Sequence, residues 1–304
     1  MLIVIFFFFL WSYYSRYLLA DYYYLAVRRA MWDRNYVALL ENYQKIFNLQ
    51  NRESFYQQNY VDDLLTIANQ TDFLTDEHKI KFYQIALQNI EAIPENERIF
   101  DLDKRRAIIL GKIAELTQNQ NDFIKAEMAI QRVVEQSPKM AQNYLLWCDL
   151  KIYQKNWSAA LEKCQRALSL YPDLNHPHLN PEHRAIIMNE MVVVYEKLGQ
   201  IYFEQKNYDK ALESYWKLLH LNPFRAHIYK KIADVYYLRK DLETAIKYNL
   251  HGAVLSPYDY AWPLALALLY QEKGDLKTAR LYVQKALELN PESPAIKNLL
   301  EKLR

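Results

Sequence analysis

Glycine is close to absent, with four residues in a chain of 304. No Gly-rich phosphate loop can be built from so few, and the Gly-x-Ser-x-Gly elbow and the His-Glu-x-x-His zinc helix are missing as well. No alternating strand pattern is sustained anywhere. An excess of one charge is also lacking. The 38 basic residues are interspersed with 36 acidic ones for a formal net charge of +2, which removes the electrostatic case for nucleic acid. Even Lys104-Arg105-Arg106 has acidic flanks and reads as a solvated helix face. What is present is 26 tyrosines and a charged fraction of 24%, the composition of an all-α chain in which Tyr fills space between helices.

The chain keeps a period of 34 residues, marked by Pro138, Pro172, Pro223, Pro257 and Pro291. A small residue keeps the same beat twelve positions earlier, at Ala126, Ala160, Ala211, Ala245 and Ala279. Both markers lengthen together to 51 at one place, an insertion of 17 residues. Two independent markers in step identify a repeat array. Within the best copy, Leu198, Gly199 and Tyr202 share one helical face, and Ala211, Tyr215 and Leu218 share the next. Polar stretches such as Gln205-Lys206-Asn207 and Lys240-Asp241 separate the two helices, and the proline ends the second. Each unit is therefore expected to be a helical hairpin. Small residues at its eighth position (Ala114, Cys148, Gly199, Ala233, Ala267) let its helices approach closely.

Tyr195-Leu198-Gly199-Tyr202-Ala211-Tyr215-Pro223 resembles the tetratricopeptide repeat family almost in full. The resemblance implies a right-handed α-solenoid of about seven hairpins. Two units occupy 107–174, an insertion and helix extension 175–191, and three further units 192–293. Residues 20–106 form irregular hairpins upstream, with Gln70-Thr71-Asp72 in one turn, and 294–304 form a capping helix.

Residues 2–11 are wholly apolar and lead into Trp11, Tyr13, Tyr14, Arg16 and Tyr17, the residues a helix places at a membrane-water boundary. Residues 1–19 are accordingly expected to be a membrane helix. At ~1.5 Å per residue the apolar part spans about 21 Å against a hydrocarbon core of ~30 Å. Three readings of that short segment stay open: a cleaved signal peptide, a complete anchor, and the end of a longer membrane protein. Arg16, Arg28, Arg29 and Arg34 lie on its C-terminal side, which places the repeats in the cytoplasm at the plasma membrane. The junction from Arg16 to Tyr24 resembles that of bacterial membrane proteins of the O-antigen ligase and polymerase family, which join a glycan-handling membrane domain to C-terminal repeats. No catalytic residue of that family has a counterpart in this chain.

The remaining candidates for chemistry are few. His176, His178, Glu182 and His183 crowd the insertion, but its prolines keep the stretch extended, and a polar loop leading into a long helix near Pro181 is the expectation. Asp62-Asp63 and Asp101/Asp103 read as surface or helix-start carboxylates without a partner base. In the repeat's geometry Cys148 and Cys164 face each other across one hairpin. A disulfide is one reading, and two buried thiols in a reducing compartment the favoured one. No catalytic residue, metal or cofactor is assigned.

The resemblance implies a concave groove lined by positions 2, 5, 9, 12 and 13 of each first helix. Mapped onto this chain, it offers Glu115, Gln118, Asp149, Tyr153, Glu196, Gln200, Phe203, Lys230, Asp234 and Tyr237. Carboxylates, amides and rings together suit an extended peptide with basic or polar side chains. Acidic or apolar residues at position 9 disfavour the terminal carboxylate that co-chaperones of this family grip. The expected function is a membrane-tethered, non-catalytic scaffold for protein or peptide partners. The alternative is the regulatory part of a glycan-assembly membrane enzyme.

Overall fold

The computed structural model describes residues 2–49, 54–69, 74–95 and 98–303, with no side-chain description for 2–10, 12, 13 and 54. Among these, fifteen α-helices and no strand are found. They form two compact units, residues 1–138 and 139–304.

The first unit pairs α1 (Leu2–Trp32) with α2 (Tyr36–Asn48), α3 (Ser54–Asn69) with α4 (Asp76–Glu91), and α5 (Phe100–Thr117) with α6 (Gln120–Gln136). The second pairs α7 (Ala141–Tyr153) with α8 (Trp157–Ser169), α9 (Pro181–Glu204) with α10 (Tyr208–Leu221), α11 (Ala226–Leu238) with α12 (Leu242–Leu255), and α13 (Ala261–Glu272) with α14 (Leu276–Leu289). The short α15 (Pro294–Lys302) packs on α14 and closes that unit with Ile296 and Leu303 buried. The seven expected hairpins are thus present. Helix α5 starts at Phe100, seven residues before the expected boundary, because Leu102 and Asp103 already belong to its buried face.

One turn chemistry recurs inside the hairpins. Arg34, Lys155, Lys206 and Lys240 adopt φ between 54° and 65°, and Gly274 adopts 85°. Each is followed by an Asn or Asp whose side chain accepts the backbone N–H three residues on, as Asn207 does from Lys210. The left-handed residue ends one helix and the Asx cap starts the next within three residues. A turn this short leaves the two helices antiparallel neighbours.

The small residues do what the period predicts. Ala126, Ala160, Ala211, Ala245 and Ala279 are all fully buried, as are Ala114 and Cys148. At Gly199 the reason is steric: a Cβ there would collide with the Tyr215 ring, which fills the space between α9 and α10. The prolines lie just beyond the second helices, and α9 starts at Pro181 with Asn180 as its cap, as expected.

The expected membrane helix over residues 1–19 is not supported. Helix α1 is continuous from Leu2 to Trp32, with no boundary near residue 19, and Ala20, Val27 and Ala30 bury their side chains in the first hairpin. Among the described residues no helix is long and apolar enough to cross a membrane. The side chains of the apolar run itself, residues 2–10, lie outside the described residues, and Ser12, Ser15, Arg16 and Asp21 follow in the same helix. Trp11, Tyr14 and Arg16 are exposed and Tyr17 is half-buried, whereas the Tyr13 side chain lies outside the described residues. The turn assigned to Gln70-Thr71-Asp72 lies outside them as well.

Candidate functional site

A polar site lies in the second unit, on the faces of α11 and α13 that converge in front of α12. Lys230 and Asp234 are one turn apart on α11, with Lys230 Nζ 3.0 and 3.3 Å from the two carboxylate oxygens. One further turn brings Tyr237 to the same face. Opposite it, α13 supplies Leu268 and Glu272, and Asn249 of α12 contributes to a cavity of about 230 Å³. The Tyr237 hydroxyl hydrogen-bonds Glu272, and that bond, with the carboxylate's charge behind it, holds the phenol above its ordinary pKa. Lys240 stands at the rim, 3.8 Å from Glu272 and 77% exposed.

Asn249 is 3% exposed. Its Nδ2 donates to the Ala245 carbonyl at 2.9 Å, one helical turn back. A carbonyl only accepts, so the amide orientation is set and Oδ1 remains without a hydrogen-bond partner.

Three of the predicted groove residues, Lys230, Asp234 and Tyr237, meet in this cavity. Asp149 is held by an ion pair with Lys197 of α9, Glu196 lies 3.2 Å from His227 Nε2, and Phe203 packs on Tyr208 with ring centres 5.9 Å apart. Tyr153 and Gln200 are half-buried on α7 and α9. Glu115 and Gln118 belong to the other unit. Glu115 pairs with Lys112 at 2.8 Å, and Gln118 is the left-handed residue ending α5, its Nε2 donating to the Glu115 carbonyl. Glu272 follows from the same positional rule as its neighbours. Asn249 sits on a second helix, and only its polarity at an otherwise apolar core position could have drawn notice.

The first unit uses the corresponding faces differently. Tyr56 donates to Asp21 at 2.6 Å and Tyr24 to Asn59 at 2.8 Å, while Arg28 pairs with Asp63. Each pair joins α1 to α3 across 35 residues. Asp62, in turn, is gripped by Arg105 through two nitrogens, at 2.5 and 2.8 Å. Asp101 and Asp103 stand in the first turn of α5 as the helix-start reading has it, but the surface reading is corrected for Asp63 and Asp103. Asp63 is buried and also accepts from Tyr43 at 2.6 Å, and Asp103, 3% exposed, accepts from Arg132 and Gln136. Arg28 belongs to this network rather than to a flank of free cations.

Cys148 and Cys164 form a disulfide between α7 and α8, with Cα atoms 5.4 Å apart, in place of the two thiols expected. The His176 and His178 rings lie tilted to one another with centres 5.5 Å apart, and His183 lies in the first turn of α9. Among the described residues no group of three His, Cys, Asp or Glu side chains could hold a metal ion.

Comparison with known proteins agrees with the repeat pattern. Residues 192–224 and 264–293 each match the tetratricopeptide repeat family. No curated protein matches the sequence. Among solved structures, PilF of Pseudomonas aeruginosa is similar over 81% of this chain and 97% of its own, with 17% identity and a TM-score of 0.50. MamA is similar over 60% of this chain and 95% of its own, with 20% identity and a TM-score of 0.47. YrrB, described as a TPR protein with an unusual peptide-binding site, covers 67% of this chain and 95% of its own, with 15% identity and a TM-score of 0.46. The chain carries tetratricopeptide repeats in an all-helical, solenoid-like fold. These comparisons do not show the O-antigen ligase resemblance of residues 16–24.

Proposed function

We propose that this chain is a binding scaffold, without chemistry of its own, which holds an extended segment of a partner protein in the second unit. The observation that carries the reading is the cavity between α11 and α13, where Lys230, Asp234, Tyr237 and Glu272 converge beside a buried amide oxygen without a partner. Side chains of this kind on rigid helices recognise a peptide by a few anchored contacts.

Recovery of partners by the full chain, compared with a Lys230→Glu/Tyr237→Ala/Phe203→Ala variant, tests this. Loss of a specific partner from the variant is expected, and unchanged recovery would count against the groove.

The Cys148–Cys164 bond supports an oxidising compartment for these repeats over the cytoplasm suggested by the arginine flank. Trapping free thiols in intact cells separates the two. A second reading, service to a glycan-assembly membrane enzyme, draws on the unbroken passage of α1 from the apolar run into the first hairpin. DNA upstream of the Met1 codon that encodes in-frame membrane helices would support it, and a stop codon there would end it.

A further inference from the structure

The cavity between α11 and α13 has more acceptors than donors. Its lining carries one cation, Lys230, against two carboxylates, Asp234 and Glu272. The donors present are already engaged: Lys230 with Asp234, and the Tyr237 hydroxyl with Glu272. A carboxylate offers about four lone-pair positions, so both retain capacity. Asn249 adds an amide oxygen shielded from water and bonded to nothing. An acceptor left in that state costs about 1–3 kcal/mol, which a donor supplied from outside would recover.

The space is the right kind for a long side chain. About 230 Å³ exceeds by severalfold the ~30 Å³ that one water occupies. Leu268 and Leu269 form an apolar wall on α13 opposite Lys230, Asp234 and Tyr237 of α11, as a methylene stem requires. The competing rim cation, Lys240, is 77% exposed and 3.8 Å from Glu272, so its hold on that carboxylate is weak.

We infer that this cavity is a specificity pocket for a cationic side chain, arginine or lysine, of the bound segment. Its head group donates to Asp234, Glu272 and the Asn249 Oδ1, and its stem lies along Leu268 and Leu269. The inference rests on the proposed peptide-binding role and names the residue the peptide must present. Arginine is preferred, because its planar fork reaches several acceptors at once.

The test uses extended peptides identical except for a central arginine, lysine, norleucine or glutamate. They are titrated onto the full chain and followed by fluorescence anisotropy and NMR shifts. The arginine peptide is expected to bind about tenfold tighter than the norleucine one, the factor one charge-assisted hydrogen bond supplies. Glu272→Gln, at a partly exposed position, should erase most of that preference without touching the melting curve. Asn249→Leu should weaken the arginine peptide while leaving norleucine binding alone. Lys240→Glu should tighten the arginine peptide. Equal binding of all four peptides would overturn the pocket while leaving the groove standing. A preference indifferent to both Glu272→Gln and Asn249→Leu would overturn it too. Binding of no peptide would remove the groove reading as well.

Discussion

Removing the Cys148–Cys164 cross-link should destabilise the second unit by an amount set by the chain it closes. The two residues are 16 apart in sequence and join the two helices of one hairpin. Closing a loop of that length removes denatured-chain entropy worth about 3 kcal/mol at 25 °C. Both sulfurs belong to fully buried residues, so the bond must be reduced in denaturant and the protein refolded in reductant, with thiols counted to confirm reduction. With an m-value near the upper end for small proteins, about 3 kcal/mol/M, the urea midpoint should fall by roughly 1 M. Stability in a repeat array is shared mainly between neighbours, so hydrogen exchange should quicken first in α7 and α8. A fully reduced protein with the oxidised midpoint, and unchanged exchange in those helices, would refute the idea that the bond constrains the array.

Asp63→Ala should cost about 3 kcal/mol by leaving Arg28 and Tyr43 without their shared acceptor, at the low end for a broken buried pair because Arg28 keeps 40% of its side-chain surface in water. A loss well under 1 kcal/mol in chemical denaturation would show that the network is not structural. Gly199→Ala should cost about 1–3 kcal/mol by driving a methyl into the Tyr215 ring, and a Tyr215→Leu background should shrink that loss. Full additivity of the two changes would contradict the steric account. For acid stability, hydrogen bonds from the Thr244 and Thr278 side chains, and then their backbone N–H groups, hold Asp241 and Asp275 below the ordinary carboxylate pKa. A depressed folded pKa contributes stability above the unfolded value of 3.8 that disappears as pH falls through the folded one. An Asp241→Asn/Asp275→Asn variant keeps the caps but not the titration, so its melting temperature should drop less than wild type between about pH 4 and pH 2. Parallel curves would exclude the caps as a source of acid sensitivity.

The architecture was largely legible because it is periodic. The alanines twelve residues before each proline mark close helix approaches, so five hairpins follow from spacing, and the two upstream ones rest on weaker local matches such as the turn at Asn35-Tyr36. Asp63 and Asp103 were not legible. Their burial depends on Arg28, Arg132 and Gln136, which lie 29 to 35 residues away and carry no local signal of pairing. The boundary before α5 was missed for a related reason, since no proline stands one repeat length before Pro138. At the site, the first-helix rule led to Lys230, Asp234 and Tyr237, while Glu272, on the first helix of the next unit, was not among the residues mapped from it. Asn249 escaped it because the floor of the cavity comes from a second helix. The apolar run at the N-terminus suggested a membrane segment, and Ala20, Val27 and Ala30 place the later part of that same helix in the first hairpin, where the hairpin was expected from residue 20.

The central claim is that a partner segment lies between α11 and α13. A photo-crosslinking amino acid at position 237, compared with one at the 88% exposed Tyr258 in the turn after α12, tests it directly in cells. The account predicts a discrete partner adduct from position 237 that Glu272→Gln weakens, and none from position 258. Equal adducts from both positions, or none from 237, would contradict it.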